Sequence, residues 1–179
     1  AADDYVQCLD KVYRWASYVT VNISSPNTAN LRSLQSDAAL TGLLDRLQQT
    51  RTALSDRHGR WVPLLVKIAP DMPTQAFQAV AQIVQERGMD GLIATNTTVS
   101  REGIAGHPLA DQAGGVAGGP LTAMSCQAVQ TLRAAVGPDF PLIGVGGICD
   151  AASARDRVNA GANLLQVYTA FIYEGPGCV

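Results

Sequence analysis

The sequence predicts an α/β fold with a parallel sheet, and within that class an incomplete (β/α)8 barrel. Three observations lead there. Five apolar, strand-like runs alternate with helical stretches, the order that makes a sheet parallel. Polar side chains gather just past the C-terminal ends of those runs, where parallel α/β proteins bind ligands. The best candidate for an anion-binding glycine turn, Gly144-Val-Gly146-Gly147, follows the penultimate run rather than the first. An open doubly wound sheet usually carries its phosphate loop after the first strand, whereas barrels commonly hold phosphate on the loops after their last two. The chain has 179 residues, short of the roughly 250 that a whole barrel needs.

Taken in order, Tyr5, Leu9, Val12 and Ala16 recur at helical spacing, so the chain opens on a helix. Val19 and Val21 then alternate with Thr20 and Asn22, the period of a strand, and Pro26 stops the ladder because it has no N–H to donate. That leaves Asn22, Ser24, Ser25 and Asn27 clustered at a strand's end. Each could satisfy only its own turn backbone, but four together favour a ligand. Leu40, Leu43, Leu44 and Leu47 mark a second helix, whose tail from Arg51 to Arg60 reads as a solvated connection. Val62 to Ile68 is a nearly continuous apolar run, the pattern of a strand covered on both faces.

Lys67 interrupts that run near its end. An unpaired ammonium would be costly there, so a negative partner is expected unless the side chain snorkels to the rim. Thr74 is placed to cap the next helix, whose buried stripe is Phe77, Val80, Ala81 and Val84 and which Gly88 ends. Gly91 to Thr95 is the third strand and delivers Asn96, Thr97 and Thr98. From Val99 to Pro120 there is no periodicity but many glycines, as in functional or mobile loops. A helix from Leu121 to Val136 and a strand from Pro141 to Val145 follow. Gly146-Gly147-Ile148 turns into a helix that Asp150 caps and Gly161 ends, and Asn163 to Tyr168 is the last strand.

The glycines at 144, 146 and 147 let backbone approach an anion, and Tyr168-Thr169 at the next strand's end would face the same group. Asn96 and Thr97 repeat the amide-plus-hydroxyl chemistry of Asn22 and Ser25. Such groups fit the edge of a planar, polar, uncharged ring, and no carboxylate or imidazole cluster suggests a metal. Lys67 would support negative charge on a reduced cofactor ring. His58 and His107 read as surface residues, and Trp15 and Trp61 as packing residues.

Composition narrows the class further. The chain is 47% hydrophobic and 16% charged, with a net charge of −2, and has no basic cluster for nucleic acid or anionic lipid. No apolar run would span a bilayer, and Ala1-Ala2-Asp3-Asp4 does not begin a signal peptide. Cys8, Cys126, Cys149 and Cys178 lack zinc-ligand spacing and are expected to be reduced thiols. A soluble, enzyme-like domain is the expectation.

Six segments together resemble the quinone-dependent, class 2 dihydroorotate dehydrogenases. They are Asn22-Ile-Ser-Ser-Pro-Asn27-Thr, Val66-Lys67-Ile-Ala-Pro-Asp71, Ile93-Ala-Thr95-Asn96-Thr97-Thr98, Gly114-Gly-Val-Ala-Gly118, Ile143-Gly-Val-Gly-Gly147-Ile and Gln166-Val-Tyr168-Thr169, in family order across nearly the whole chain. The resemblance implies an FMN enzyme that oxidises (S)-dihydroorotate to orotate in pyrimidine synthesis, with quinone as electron acceptor. It implies that Ser25 is the base that takes the C5 proton while hydride passes from C6 to the flavin. Cysteine at that position marks class 1. A serine base needs a proton relay through water or neighbouring hydroxyls. By the same resemblance Asn22, Asn27, Asn96 and Thr97 hold orotate, with Asn22 also touching FMN. Lys67 and Thr95 lie against the flavin, Gly118 and Gly147 bind it through backbone, and Tyr168 and Thr169 complete its phosphate site.

The sequence departs from the family at Ala117, Gly119 and Asn30, where serine, a basic residue and glycine are usual. Residues 1–179 would form one partial FMN-binding TIM-barrel catalytic domain, about strands 4 to 8, without the N-terminal strands, the membrane-docking helices and the usual C-terminal helix. Exposed edges and apolar surface would then make the isolated chain poorly stable or prone to associate, with little activity. The whole protein would sit peripherally on the cytoplasmic side of a bacterial inner membrane, or on the mitochondrial inner membrane, and this part would be soluble. Alternative readings are another FMN barrel, such as a dihydropyrimidine dehydrogenase domain or a dihydrouridine synthase, and a non-catalytic module that binds a phosphate ligand. The first two would be expected to carry an active-site cysteine.

Overall fold

The structure is a computed structural model that describes residues 2–28 and 31–178. Asn30, one of the departures noted above, lies outside the described residues. Five parallel strands, β1 (Val19–Asn22), β2 (Leu64–Ile68), β3 (Gly91–Ala94), β4 (Leu142–Val145) and β5 (Leu164–Gln166), lie side by side in chain order. A doubly wound sheet would reverse direction at a switch point and carry helices on both faces. Here the order never reverses. The helices α1 (Ala2–Val12), α2 (Asp37–His58), α3 (Thr74–Glu86), α4 (Thr122–Val136) and α5 (Ala151–Asn159) pack each against the next. This is an arc of a barrel wall.

Alternation along the strands divides the two faces. Val21, Leu64, Val66, Ile68, Leu92 and Leu142 join helix residues such as Leu40, Leu44, Val80 and Leu132 in the main core. The intervening positions Leu65, Ile93, Ile143 and Val145 form a second cluster on the inner face. Lys67, on the alternation that carries Leu65, therefore points inward. The arc is curved enough that Gln166 of β5 donates across the concave face to the hydroxyl of Tyr18, just before β1, at 3.4 Å.

Several elements differ from the sequence reading. α2 runs on to His58, and the stretch expected as a solvated connection buries both Arg51 and Leu54. The stripe continues through position 51 because the arginine that occupies it is paired with Asp90. Gly59 ends the helix at φ 63°, its N–H donating to Ser55 O at 2.8 Å. Thr74 is the first helical residue of α3 and does not cap it; Pro73 takes that place, extended and without a side-chain bond. A short helix, α6 (Thr169–Glu174), follows β5 where the sequence showed no periodicity. Trp15 and Trp61 are exposed, and each is a platform for an arginine, Arg14 at 4.2 Å and Arg51 at 4.0 Å from the ring centroid. His58 and His107 are exposed, as expected.

Other expectations hold. Asp150 caps α5 in a reciprocal box with Ser153, and these hydrogen bonds keep its carboxyl below the usual carboxylate range. Gly88 and Gly161 take positive φ after α3 and α5. The four cysteines are free. The glycine-rich loop is pinned by an antiparallel bridge between Thr98 and Val116 and by Arg101, which donates to the carbonyls of Gln112 and Gly114. Among the described residues, β1 and β5 each have one edge without a strand partner, and Leu164 of β5 is 64% exposed.

Candidate functional site

At the C-terminal ends of the strands a cavity of about 280 Å3 opens on the inner face. β2 and β3 contribute Lys67, Thr95, Asn96 and Thr97; the glycine-rich loop contributes Gly118; and the ends of β4 and β5 contribute Gly147, Tyr168 and Thr169. Eight residues singled out from the sequence thus meet in one place. Ser25, Asn27 and Asn22 do not line it. They form its rim on the β1 side, where Asn22 is joined to the cavity through Asn96.

That rim is a closed hydrogen-bond network. Asn96 Nδ2 donates to Asn22 Oδ1 at 3.2 Å and to Ser24 Oγ at 3.1 Å, and Ser24 in turn donates from both N–H and Oγ to Asn22 Oδ1. Asn96 Oδ1 accepts from Thr97 N–H at 2.8 Å. Two strand ends are thereby locked together, which fixes the orientation of both amides. Tyr5 of α1 donates to Asn22 O at 2.6 Å, and burial pushes its own hydroxyl pKa up. Ser25 Oγ accepts from Asn27 N–H at 3.3 Å, so here the local-turn reading is correct, though it leaves the hydroxyl proton free.

Behind the rim sits a clamp that the sequence did not announce. Arg32 donates to Asp71 Oδ2 at 2.8 Å, to Ser24 O at 3.1 Å and to Thr97 O at 3.0 Å. Asp71 also accepts from Thr98 Oγ1 and from Val99 N–H. One ion pair therefore ties the loops after β1, β2 and β3. Gly115 packs so closely on Thr97 that a Cβ would collide with the Thr97 hydroxyl, which explains a glycine there. The amide oxygen of Asn27 lies 3.7 Å from where a Cβ on Gly114 would sit, so the β1 loop and the glycine-rich loop face each other.

The cavity floor holds unmet polar groups. Thr95 is 2% exposed and its Oγ1 has no partner among the described residues. Lys67 was expected to have a negative partner; among the described residues no hydrogen bond or ion pair engages its ammonium. Its strand position directs it into the cavity, and burial pushes its pKa down without a carboxylate to oppose the shift. Both residues line the cavity.

On the far side the glycine turn is held from behind. Gly146 O accepts from Ser125 Oγ and Arg157 Nη2, each at 2.8 Å, and Gly147 O accepts from Thr122 Oγ1 at 2.9 Å. A side chain at 118 would press on Thr169 at 3.1 Å, and one at 147 would collide with Thr122. The turn is therefore a tight cradle able to present backbone N–H groups to an anion. Of the departures noted, Ala117 lines the cavity and Gly119 does not.

Leu121, Val145, Ile148 and Gln166 also line the cavity and were not singled out. The apolar three carry no chemical flag. Gln166 did: it is polar at an inward position of a strand, as Lys67 is.

Comparison with known proteins bears on the family and the fold. A family model described as dihydroorotate dehydrogenase matches residues 1–179. Among similar proteins named dihydroorotate dehydrogenase (quinone), that of Leptothrix cholodnii is 54% identical over the whole chain, which covers 52% of that protein. The one from Albidiferax ferrireducens is 52% identical, with 50% of its length covered. A crystal structure of DHODH from Eimeria tenella with ferulenol matches at a TM-score of 0.90 and 34% identity, over 98% of this chain and 50% of that one. The ligand-free form matches at 0.91 and 35%. The chain spans about half the length of the curated relatives it matches. The match over all 179 residues shows that the chain belongs to the dihydroorotate dehydrogenase family.

Proposed function

We propose that the chain supplies the flavin-facing and substrate-facing groups of a quinone-dependent dihydroorotate dehydrogenase, which oxidises (S)-dihydroorotate to orotate with FMN as cofactor. The observation that carries this is the pair of unmet groups on the cavity floor, Thr95 Oγ1 and the Lys67 ammonium, set between an amide-rich rim and a glycine cradle. That donor set fits FMN: the ring needs a hydroxyl and a positive charge, and the phosphate needs backbone N–H groups. When bound, FMN supplies a two-electron acceptor for hydride.

The chain's own residues do the remaining work. Lys67 and Thr95 hold the ring, with Lys67 favouring negative charge on its reduced form. Gly118 and Gly147 approach the cofactor with backbone, and Tyr168 and Thr169 close over its phosphate. Asn22, Asn27, Asn96 and Thr97 orient the planar substrate, with Asn22 reaching the cofactor as well. Ser25 takes the proton from C5. The N–H of Asn27 donating to Ser25 Oγ favours the deprotonated oxygen, which is the direction a base needs. Among the described residues the Ser25 hydroxyl donates no hydrogen bond, so its proton leaves through water or a neighbouring hydroxyl. Quinone as the acceptor places the whole protein at a membrane surface, docked peripherally on the cytoplasmic side in a bacterium; among the described residues no helix is long and apolar enough to cross one.

Anaerobic bleaching of bound FMN by dihydroorotate tests the reading, on this chain and on the complete reading frame that contains it. Ser25→Ala should retain FMN and slow single-turnover bleaching by about 10²–10⁴-fold, the usual contribution of a positioned base. Unchanged bleaching in that variant would remove Ser25 from the mechanism. FMN that stays oxidised in every form would remove the activity.

A further inference from the structure

We propose that Arg157, outside the cavity, is the positioning residue that gives the Gly146-Gly147 turn its preference for a phosphomonoester, and this rests on the FMN reading above. Arg157 lies on α5 and is 1% exposed. Its stem fills the space where Gly144 has no side chain, since a Cβ on Gly144 would collide with Arg157 Cγ. The guanidinium reaches the strand's C-terminal end and donates from Nη2 to Gly146 O at 2.8 Å and Thr122 O at 3.2 Å. Its Nε and Nη1 have no partner, and no carboxylate pairs with it among the described residues.

A guanidinium stays charged even when buried; Asp156, its neighbour on α5, acts on it through space but forms no ion pair with it among the described residues, so no direct contact neutralises the cation. Planar trans peptides determine where its influence goes. In such a unit the C=O and the following N–H point in opposite directions. Arg157 and Ser125 draw Gly146 O towards the helices, so the N–H of Gly147 is turned the other way, into the cavity that Gly147 lines. Thr122 holds Gly147 O in the same manner and turns out the N–H of Ile148. Neither N–H has an acceptor among the described residues. Two oriented donors with an unneutralised charge one peptide behind them form an anion site whose field is set before the ligand arrives.

Comparing FMN with riboflavin isolates this role, because the two differ only in the phosphate. Affinities for both, from quenching of flavin fluorescence, would be measured on the protein expressed from its complete reading frame. Wild type should prefer FMN. Arg157→Met and Arg157→Gln should each reduce the FMN-to-riboflavin affinity ratio by about tenfold, the scale of one charge-assisted contact, with riboflavin affinity unchanged. Arg157→Lys, which keeps the charge, should retain most of the ratio. If the Met variant does not fold, the Gln and Lys pair carries the same contrast. A ratio preserved in Met and Gln, or lost as fully in Lys, would overturn the proposal. So would equal weakening of both flavins, which is what a purely structural arginine would give. A wild type that binds neither flavin, or does not prefer FMN, would overturn the FMN reading itself.

Discussion

Two arginines are fully buried on the helical side of the sheet, and the chain treats them in opposite ways. Arg51, on α2, is paired with Asp90 and Gln48, donates to Gly88 O and lies against the ring of Trp61, leaving only Nε without a partner among the described residues. Asp90 in turn accepts from Leu64 N–H at 2.7 Å and Trp61 Nε1 at 3.1 Å. This network closes at the N-terminal ends of β2 and β3. Arg157 sits at the other end of the sheet, behind the cavity, and meets only carbonyls. In barrel proteins the C-terminal end of the strands carries function and the N-terminal end stability. The two arginines express that division in the same residue type at the same burial.

The larger effect is expected at the closed site. Asp90→Ala would leave the Arg51 guanidinium buried and uncompensated, at a cost of about 3 kcal/mol, the low end of the range for such pairs because Asp90 is partly exposed. Urea unfolding followed by circular dichroism would measure it. The FMN-to-riboflavin ratio should not change. A loss below about 1 kcal/mol would mean that Arg51 is no better satisfied than an exposed pair, and the contrast between the ends would fail.

At the open site the expected sign reverses. Arg157→Met removes an unneutralised cation and keeps a flexible stem of similar reach, so stability without ligand should stay within about 1 kcal/mol of wild type or rise. Apolar replacements of buried charges often do this. Thermal melts of the ligand-free protein would show it. A drop as large as that of Asp90→Ala would make Arg157 a second structural arginine. Stability gained where phosphate discrimination is lost is the pattern expected of a functional residue.

The same contrast marks what could be read from the chain alone. Helical periodicity placed α1, α2 and α3, capping residues placed α5, and alternation or apolar runs bounded by turn residues placed the strands, because burial on a fixed face imposes a fixed repeat and ends need breakers. The position of the glycine turn in the order separated a barrel from an open sheet, and the strand order then agreed. The extension of α2 was missed because Arg51 occupies a stripe position normally apolar, and its licence to do so, Asp90, lies 39 residues away. The clamp formed by Arg32 and Asp71 and the backing of Gly146 by Arg157 escaped for a related reason. They are contacts between elements, and no local spacing encodes them. Lys67, Asn96 and Thr97 were legible since each breaks, or directly follows, an apolar run at a strand's end. Gln166 breaks its run in the same way.

Lys67 gives the smallest and most discriminating test of the division. Like Arg157 it is a cation at the functional end without an ion pair among the described residues, but a lysine can lose its proton and an arginine cannot. Burial sets its pKa in the folded chain below the ordinary value of 10.5. Below the folded pKa the charged ammonium is held where water solvates it poorly, and this costs stability. As pH rises through the folded value towards 10.5 the folded chain sheds its proton before the unfolded chain does, so the cost is relieved. The difference in urea midpoint between wild type and Lys67→Met should therefore move in favour of wild type over that window, while all groups common to both cancel. A flat or opposite trend would mean that Lys67 is solvated at the rim. Saturating reduced FMN should abolish the trend, because the negative charge of the reduced ring beside the ammonium returns its pKa towards the ordinary value. If the trend survives FMN, the positive charge of Lys67 is not directed at the cofactor, and the unmet cations at this end of the sheet serve different ligands.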